Sequence, residues 1–290
     1  MSSASIPPAP GESVPDASAL EAPVEAPLVL PGDDLRVRWL GHATTEIVVD
    51  GVRLLTDPLL VDSLAPLVRR RAPEPALIDP RDPIHAVLIS HAHQDHLHLP
   101  SLRLLPAGTR LLVPAGLGRW LARRGFDHVE EMTPGREVWV GSVRVRATRA
   151  AHGGRRLPLG PDAPALGYVV EGAGGGVYFA GDTEIFDEMA DIPRGLDTAL
   201  AVALLPVGGW GPTLRGGHMD ARRAAQALRL LDPAHAIPIH WGTYWPRGLG
   251  RVRPERFHSP GAAFNLAATE AHPAVRVHVL RPGEARGLAD

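Results

Sequence analysis

The chain has 290 residues, 44% of them hydrophobic, which is enough apolar material for one large domain or two small ones. Thirty basic residues, every one an arginine, against 32 acidic ones leave a formal net charge of −2, which argues against nucleic acid as a partner. Cysteine is absent, so disulfides, thiolate nucleophiles and cysteine-held metals are excluded, and no apolar run approaches the roughly 18 residues of a transmembrane span.

Residues 1–32 are rich in Ala, Pro, Ser and Glu and carry neither a basic start nor a sustained apolar stretch. They read as a disordered tail rather than a signal peptide, which implies a cytoplasmic protein, and the folded domain is expected over 33–290. Leu35–Leu40, Thr45–Val49 and Val52–Thr56 then read as strands, with Asp50-Gly51 as a hairpin turn. Ala86–Ser90 and Arg110–Val113 are further strands, and Gly116–Arg124 has helical spacing closed by Gly125. Val138–Ala147, Gly167–Val170 and Val177–Ala180 are strand-like, Glu184–Ala190 is a short helix, and Ala199–Pro206 is a buried strand. Asp220 is placed to cap a helix that sets Ala224, Leu228 and Leu231 on one face. Ala236–His240 and Val275–Leu280 complete a pattern of about ten strands with interspersed helices, an α/β layered domain containing mixed sheets.

With no cysteine, any metal must be held by His, Asp, Glu or the backbone, and the chain has 14 histidines. The stretch Ser90-His91-Ala92-His93-Gln94-Asp95-His96 packs four metal-capable side chains directly after a buried strand. A catalytic metal needs at least three protein ligands plus water, so this cluster needs partners from elsewhere. His152, Asp182 in Ala180-Gly181-Asp182-Thr183, and His240 in Ile239-His240-Trp241-Gly242-Thr243 each follow an apolar strand. Loops at strand exits are where rigid scaffolds present functional groups.

This set resembles the metallo-β-lactamase-fold hydrolase superfamily. The resemblance implies a four-layer αββα sandwich of two mixed sheets flanked by helices. It implies an enzyme, a metal-dependent hydrolase with two divalent ions that share a bridging hydroxide. Carried over by position, His91, His93 and His152 would bind one ion and Asp95, His96 and His240 the other, with Asp182 bridging. Asp57, in Thr56-Asp57-Pro58, would support the histidine loop through a hydrogen bond. Zinc is the default metal for such a donor set, with manganese or iron as alternatives.

Three more stretches, Trp39-Leu40-Gly41-His42-Ala43-Thr44, Gly217-His218-Met219-Asp220 and His240-Trp241-Gly242-Thr243-Tyr244, are similar to a subgroup of that superfamily. The subgroup contains N-acyl-phosphatidylethanolamine-hydrolysing phospholipases D and, more distantly, ascorbate-6-phosphate lactonases. The resemblance implies a small-molecule or lipid substrate and a phosphodiester bond as the target. A lactone or carboxylic ester is the alternative, and a mononuclear iron oxygenase or a non-catalytic sensor on the same fold are more remote ones. His42 and His218 are candidates to donate a proton or contact the substrate, or else to support the ligands from behind as structural histidines. Trp210, Trp241, Tyr244 and Trp245 either wall a pocket or cover the rim of the sandwich. Arg69-Arg70-Arg71 reads as a solvated turn with phosphate contact as its rival, and peripheral membrane contact and oligomeric state stay open.

Overall fold

A computed structural model describes residues 35–71, 83–156, 160–208, 217–249, 251–252 and 254–288. The Ala/Pro-rich segment 1–32 and Trp210 lie outside the described residues. Two seven-stranded mixed sheets face one another. In order across the first sheet lie Ala285–Gly287, Leu35–Gly41, Thr44–Val49, Val52–Thr56, Ala86–Leu88, Leu111–Pro114 and Val129–Met132. The second runs Arg276–Val277, His235–Ile239, Leu200–Pro206, Gly175–Phe179, Leu166–Gly172, Val143–Arg149 and Glu137–Val140. A small third sheet joins Tyr244–Pro246 to Leu67–Arg69 and Ser63–Leu64.

Strand alternation explains the layering, because successive side chains point to opposite faces. Val37, Trp39, Ile47, Val49, Leu54 and Leu88 of the first sheet meet Val145, Tyr168, Val170, Val177 and Phe179 of the second in one buried core. Each such large side chain contributes about 1.5–3 kcal/mol when fully removed from water. Leu55, Val87, Ile89, Leu111 and Val113 turn the other way and pack with Leu102, Leu117 and Leu121, from the helices Leu99–Leu102 and Gly118–Ala122 or the residue just before the latter. The helices Ala221–Leu231 and Pro260–Ala271 contribute Ala224, Leu228, Leu231, Phe264 and Ala268 to the core on the second sheet's side. The result is an α/β sandwich of two mixed sheets flanked by helices, as the resemblance implied.

Most expected elements are present, and the differences have local causes. Val138–Ala147 is two strands rather than one, folded back as a hairpin at Gly141, whose φ of +58° suits glycine. The helix expected at Glu184–Ala190 is a single 3₁₀ stretch, Asp187–Asp191, and Val275–Leu280 shortens to Arg276–Val277. Pro260–Ala271 escaped notice because its small residues show little amphipathic contrast. Asp220 caps the helix Ala221–Leu231 as expected, its Oδ1 accepting the Arg223 N–H at 2.9 Å.

Strand direction positions the site. Val52–Thr56, Ala86–Leu88 and Leu111–Pro114 run parallel in one sheet, as do Gly175–Phe179, Leu200–Pro206 and His235–Ile239 in the other. Ligand sites in such sheets form outside the carboxyl ends of the strands. Asp57, Ser90–His96, Asp182 and His240 all follow the carboxyl ends of these strands, and the histidine loop joins the second sheet where the Leu166 N–H reaches the Ser90 carbonyl at 2.9 Å.

Candidate metal centre

The structure draws together all seven residues expected as ligands. His91, His93 and His152 present nitrogens within 4.8 Å of one another, and the Asp95 carboxylate oxygen and the nitrogens of His96 and His240 converge as closely, with His42 joining the second group. Asp182 stands between the groups: its Oδ2 lies 3.2 Å from His96 Nε2 and 4.0 Å from His91 Nε2, and its Oδ1 lies 3.4 Å from His240 Nε2. A third grouping combines His152, Asp182 and His218.

Hydrogen bonds on the far side of each ring decide which nitrogen points inward. His152 Nδ1 faces the Gly217 carbonyl at 2.9 Å and His240 Nδ1 faces the Gly208 carbonyl at 3.0 Å. A carbonyl only accepts, so each Nδ1 carries a proton and each Nε2 is left to face the cluster. His96 Nδ1 is 2.7 Å from Asp57 Oδ2, which fixes the same tautomer. His96 Nε2 and His240 Nε2 accordingly turn toward each other across 3.2 Å and toward Asp182. His91 Nε2, His93 Nδ1 and His152 Nε2 converge likewise, at 2.8 and 3.3 Å from His93. Asp182 Oδ1 is buried and makes no hydrogen bond among the described residues. Converging ring nitrogens beside buried carboxylates fit divalent cations, which would take the place of the protons that those carboxylates otherwise draw onto His96 and His240.

The electrostatics follow the same division. Burial first, and then the neighbouring histidines, lower His91, His93 and His152 against the pull of Asp182, the last to about 4, so these rings are neutral near pH 7. Burial would lower His96 as well, but Asp182, Asp95 and Asp57 overcome it and raise His96 well above its ordinary value. Asp182 and Asp95 are held well below the usual carboxylate range, despite burial, by the histidines around them.

The glycines beside the ligands are set by close approach. A side chain at Gly217, whose φ is +89°, would strike the Ala151 carbonyl and the backbone of His152, and one at Gly181 would strike Ser90. Among the described non-glycine residues with positive φ, His42, Asp57 and His240 all belong to this site, a common location for backbone strain.

The three shorter motifs converge here too. His42 Nε2 lies 2.9 Å from Asp95 Oδ2, its N–H donates to Thr243 Oγ1 at 2.8 Å, and its carbonyl accepts from His240 N–H at 2.8 Å. Trp39 stacks on Trp241 at 5.5 Å and donates its indole N–H to the His42 carbonyl. His42 is buried, and desolvation, followed by the charge of His240, lowers it to about 4. His218 Nε2 lies 3.1 Å from Asp182 Oδ2, and its side chain is 23% exposed.

Sequence reasoning missed Arg69. Its side chain is 6% exposed, and it donates to the Leu59 carbonyl and the Tyr244 hydroxyl, both at 2.6 Å. Tyr244, pushed up to about 12 by burial, donates in turn to Val61. These residues brace the loops behind His42 and His240 instead of forming a solvated turn, and Tyr244 also lines, with Trp241 and Trp245, a small cavity that reaches His42 and His240. The nearby basic run hid that role because a single buried arginine leaves no periodic signal.

The model of a family described as beta-lactamase superfamily domain matches residues 52–241. A protein named a metal-dependent hydrolase from Methanopyrus kandleri is 32% identical over 253 residues, covering 86% of this chain and 98% of that one. Among solved structures, Igni18, described as a metallo hydrolase from Ignicoccus hospitalis, is 25% identical with a TM-score of 0.66, covering 87% and 97% of the two chains. CmlA, a diiron β-hydroxylase from Streptomyces venezuelae, is 20% identical with a TM-score of 0.63, covering 89% of this chain and 54% of that one, a likeness of fold alone.

Proposed function

The chain belongs to the beta-lactamase superfamily domain family and is a metal-dependent hydrolase, and from that premise we propose that it holds two divalent ions and cleaves a phosphodiester. One observation carries the reading: Asp182 lies between two sets of inward-facing donors, each able to satisfy one ion. His91, His93 and His152 would hold the first ion, Asp95, His96 and His240 the second, and Asp182 would reach both. Zinc is the default for such donors. When bound, a pair of divalent ions supplies acidified water and positive charge for a developing oxyanion, a combination suited to displacement at phosphorus.

The chain's own residues do the rest. The Gly208 and Gly217 carbonyls orient His240 and His152, and His42 holds Asp95 in place through Nε2. We assign His42 to positioning because its ring is enclosed between Asp95 and His240. His218 is the proton donor to the leaving oxygen in this reading, since it touches Asp182 and remains reachable from solvent. The three subgroup-like motifs support a phosphodiester target because all of them abut the donor set.

The test is hydrolysis of bis(p-nitrophenyl) phosphate by zinc- or manganese-loaded protein, with Asp182→Ala as control. Turnover that vanishes in the variant is the expected result. Two bound ions with hydrolysis only of lactones or carboxylic esters would overturn the phosphodiester assignment, and a single bound iron would point to an oxygenase.

A further inference from the structure

We propose that Ser90 is a positioning residue whose hydroxyl, together with Asp57, ties both ion sites to a single carboxylate. The inference rests on the ligand assignment above. Asp57 is fully buried at the exit of the strand Val52–Thr56, and every hydrogen bond that its carboxylate makes among the described residues goes to the histidine loop. Its Oδ1 accepts the Ser90 N–H at 2.7 Å, and its Oδ2 accepts the Ser90 hydroxyl at 2.5 Å and His96 Nδ1–H at 2.7 Å. A hydroxyl has one proton, and the short contact shows that it goes to the carboxylate. Ser90 Oγ is then an acceptor toward His91 Nδ1, 2.9 Å away, so His91 carries its proton there and directs the Nε2 lone pair inward.

The consequence is an asymmetric pair of links. Asp57 sets the tautomer of His96, in the second site, by direct contact, and sets that of His91, in the first site, only through Ser90. With both carboxylate oxygens engaged, Asp57 is not free to bind an ion itself, although it clusters with His91 and His96. Ser90 also has no space to swing away: it is fully buried, and any side chain at Gly181 would collide with its Cβ. Without the hydroxyl, His91 Nδ1–H would face a buried void with no acceptor, and the ring would lose its preference for presenting Nε2.

The test titrates zinc into metal-stripped wild type, Ser90→Ala and Asp57→Asn, with calorimetry for affinity and elemental analysis for stoichiometry. Nitrogen-15 histidine spectra of the metal-free proteins report the tautomers independently of activity. Wild type should bind two ions. Ser90→Ala should weaken one ion about 10- to 100-fold and leave the other, with the His91 tautomer alone disturbed, whereas Asp57→Asn should weaken both. Should Ser90→Ala fail to fold, Ser90→Cys keeps the size with a poorer acceptor and should weaken the same single ion. Unchanged affinities in the serine variant, or equal weakening of both ions, overturn the inference. A wild type that binds no zinc overturns the ligand assignment, and the inference with it.

Discussion

One strand carries a histidine at its start and another just beyond its end, and the two meet different fates. His235 opens His235–Ile239, buried, with its Nδ1 2.9 Å from His278 Nε2. Burial, then His235 and the charges of Arg286 and Arg276, hold His278 at about 4, with Glu284 as the acid that pulls the other way. His240, equally buried, is raised instead, because Asp182 and Asp95 overcome desolvation. Burial is common to both ends. What distinguishes the candidate metal centre is the convergence of Asp95 and Asp182 on its histidines.

Replacing Asp182 breaks that contrast most severely. Asp182→Ala should lower kcat on a phosphodiester by about a thousandfold, the several kcal/mol that ion-based charge stabilisation is worth. The two strand ends can then be set directly against each other. His240→Gln should cost one bound ion per chain by elemental analysis, while His235→Gln should leave both. His42→Ala, which removes the hydrogen bond to Asp95, should weaken one ion about 10- to 100-fold in a zinc titration.

Acid sensitivity separates the ends in another way. His278 is held below its unfolded value, so the unfolded chain takes up a proton first as pH falls from about 6.5 to about 4, and stability drops through that window. His278→Gln should flatten part of that fall in melting temperature measured on the apo-protein. The smallest effect belongs to an exposed helix cap. Asp220→Ala removes a helix cap and should cost about 1 kcal/mol, a shift of about 2–4 °C in a thermal melt.

Much of this molecule was readable in one dimension. The strands from Leu35 to Thr56 and from Leu200 to Pro206 announce themselves through apolar runs and turn residues, and the cluster His91–His96 through its density of donors. His152, Asp182 and His240 were accessible because each follows a strand. The links from one loop to another were not. That His42 would hold Asp95, that Arg69 would brace Tyr244, and that Ser90 would relay Asp57 to His91 depend on contacts across 53, 175 and 33 residues of sequence. Such pairs leave no local pattern, since each depends on how two sheets bring their strand ends to one edge.

The most direct measurement of the central claim is a crystal structure of the zinc-loaded protein with anomalous scattering recorded at the zinc edge. Two peaks are expected, one among His91, His93 and His152 and one among Asp95, His96 and His240, with Asp182 touching both. A single peak, or one held by His152, Asp182 and His218 in place of the first, would contradict the two-ion account.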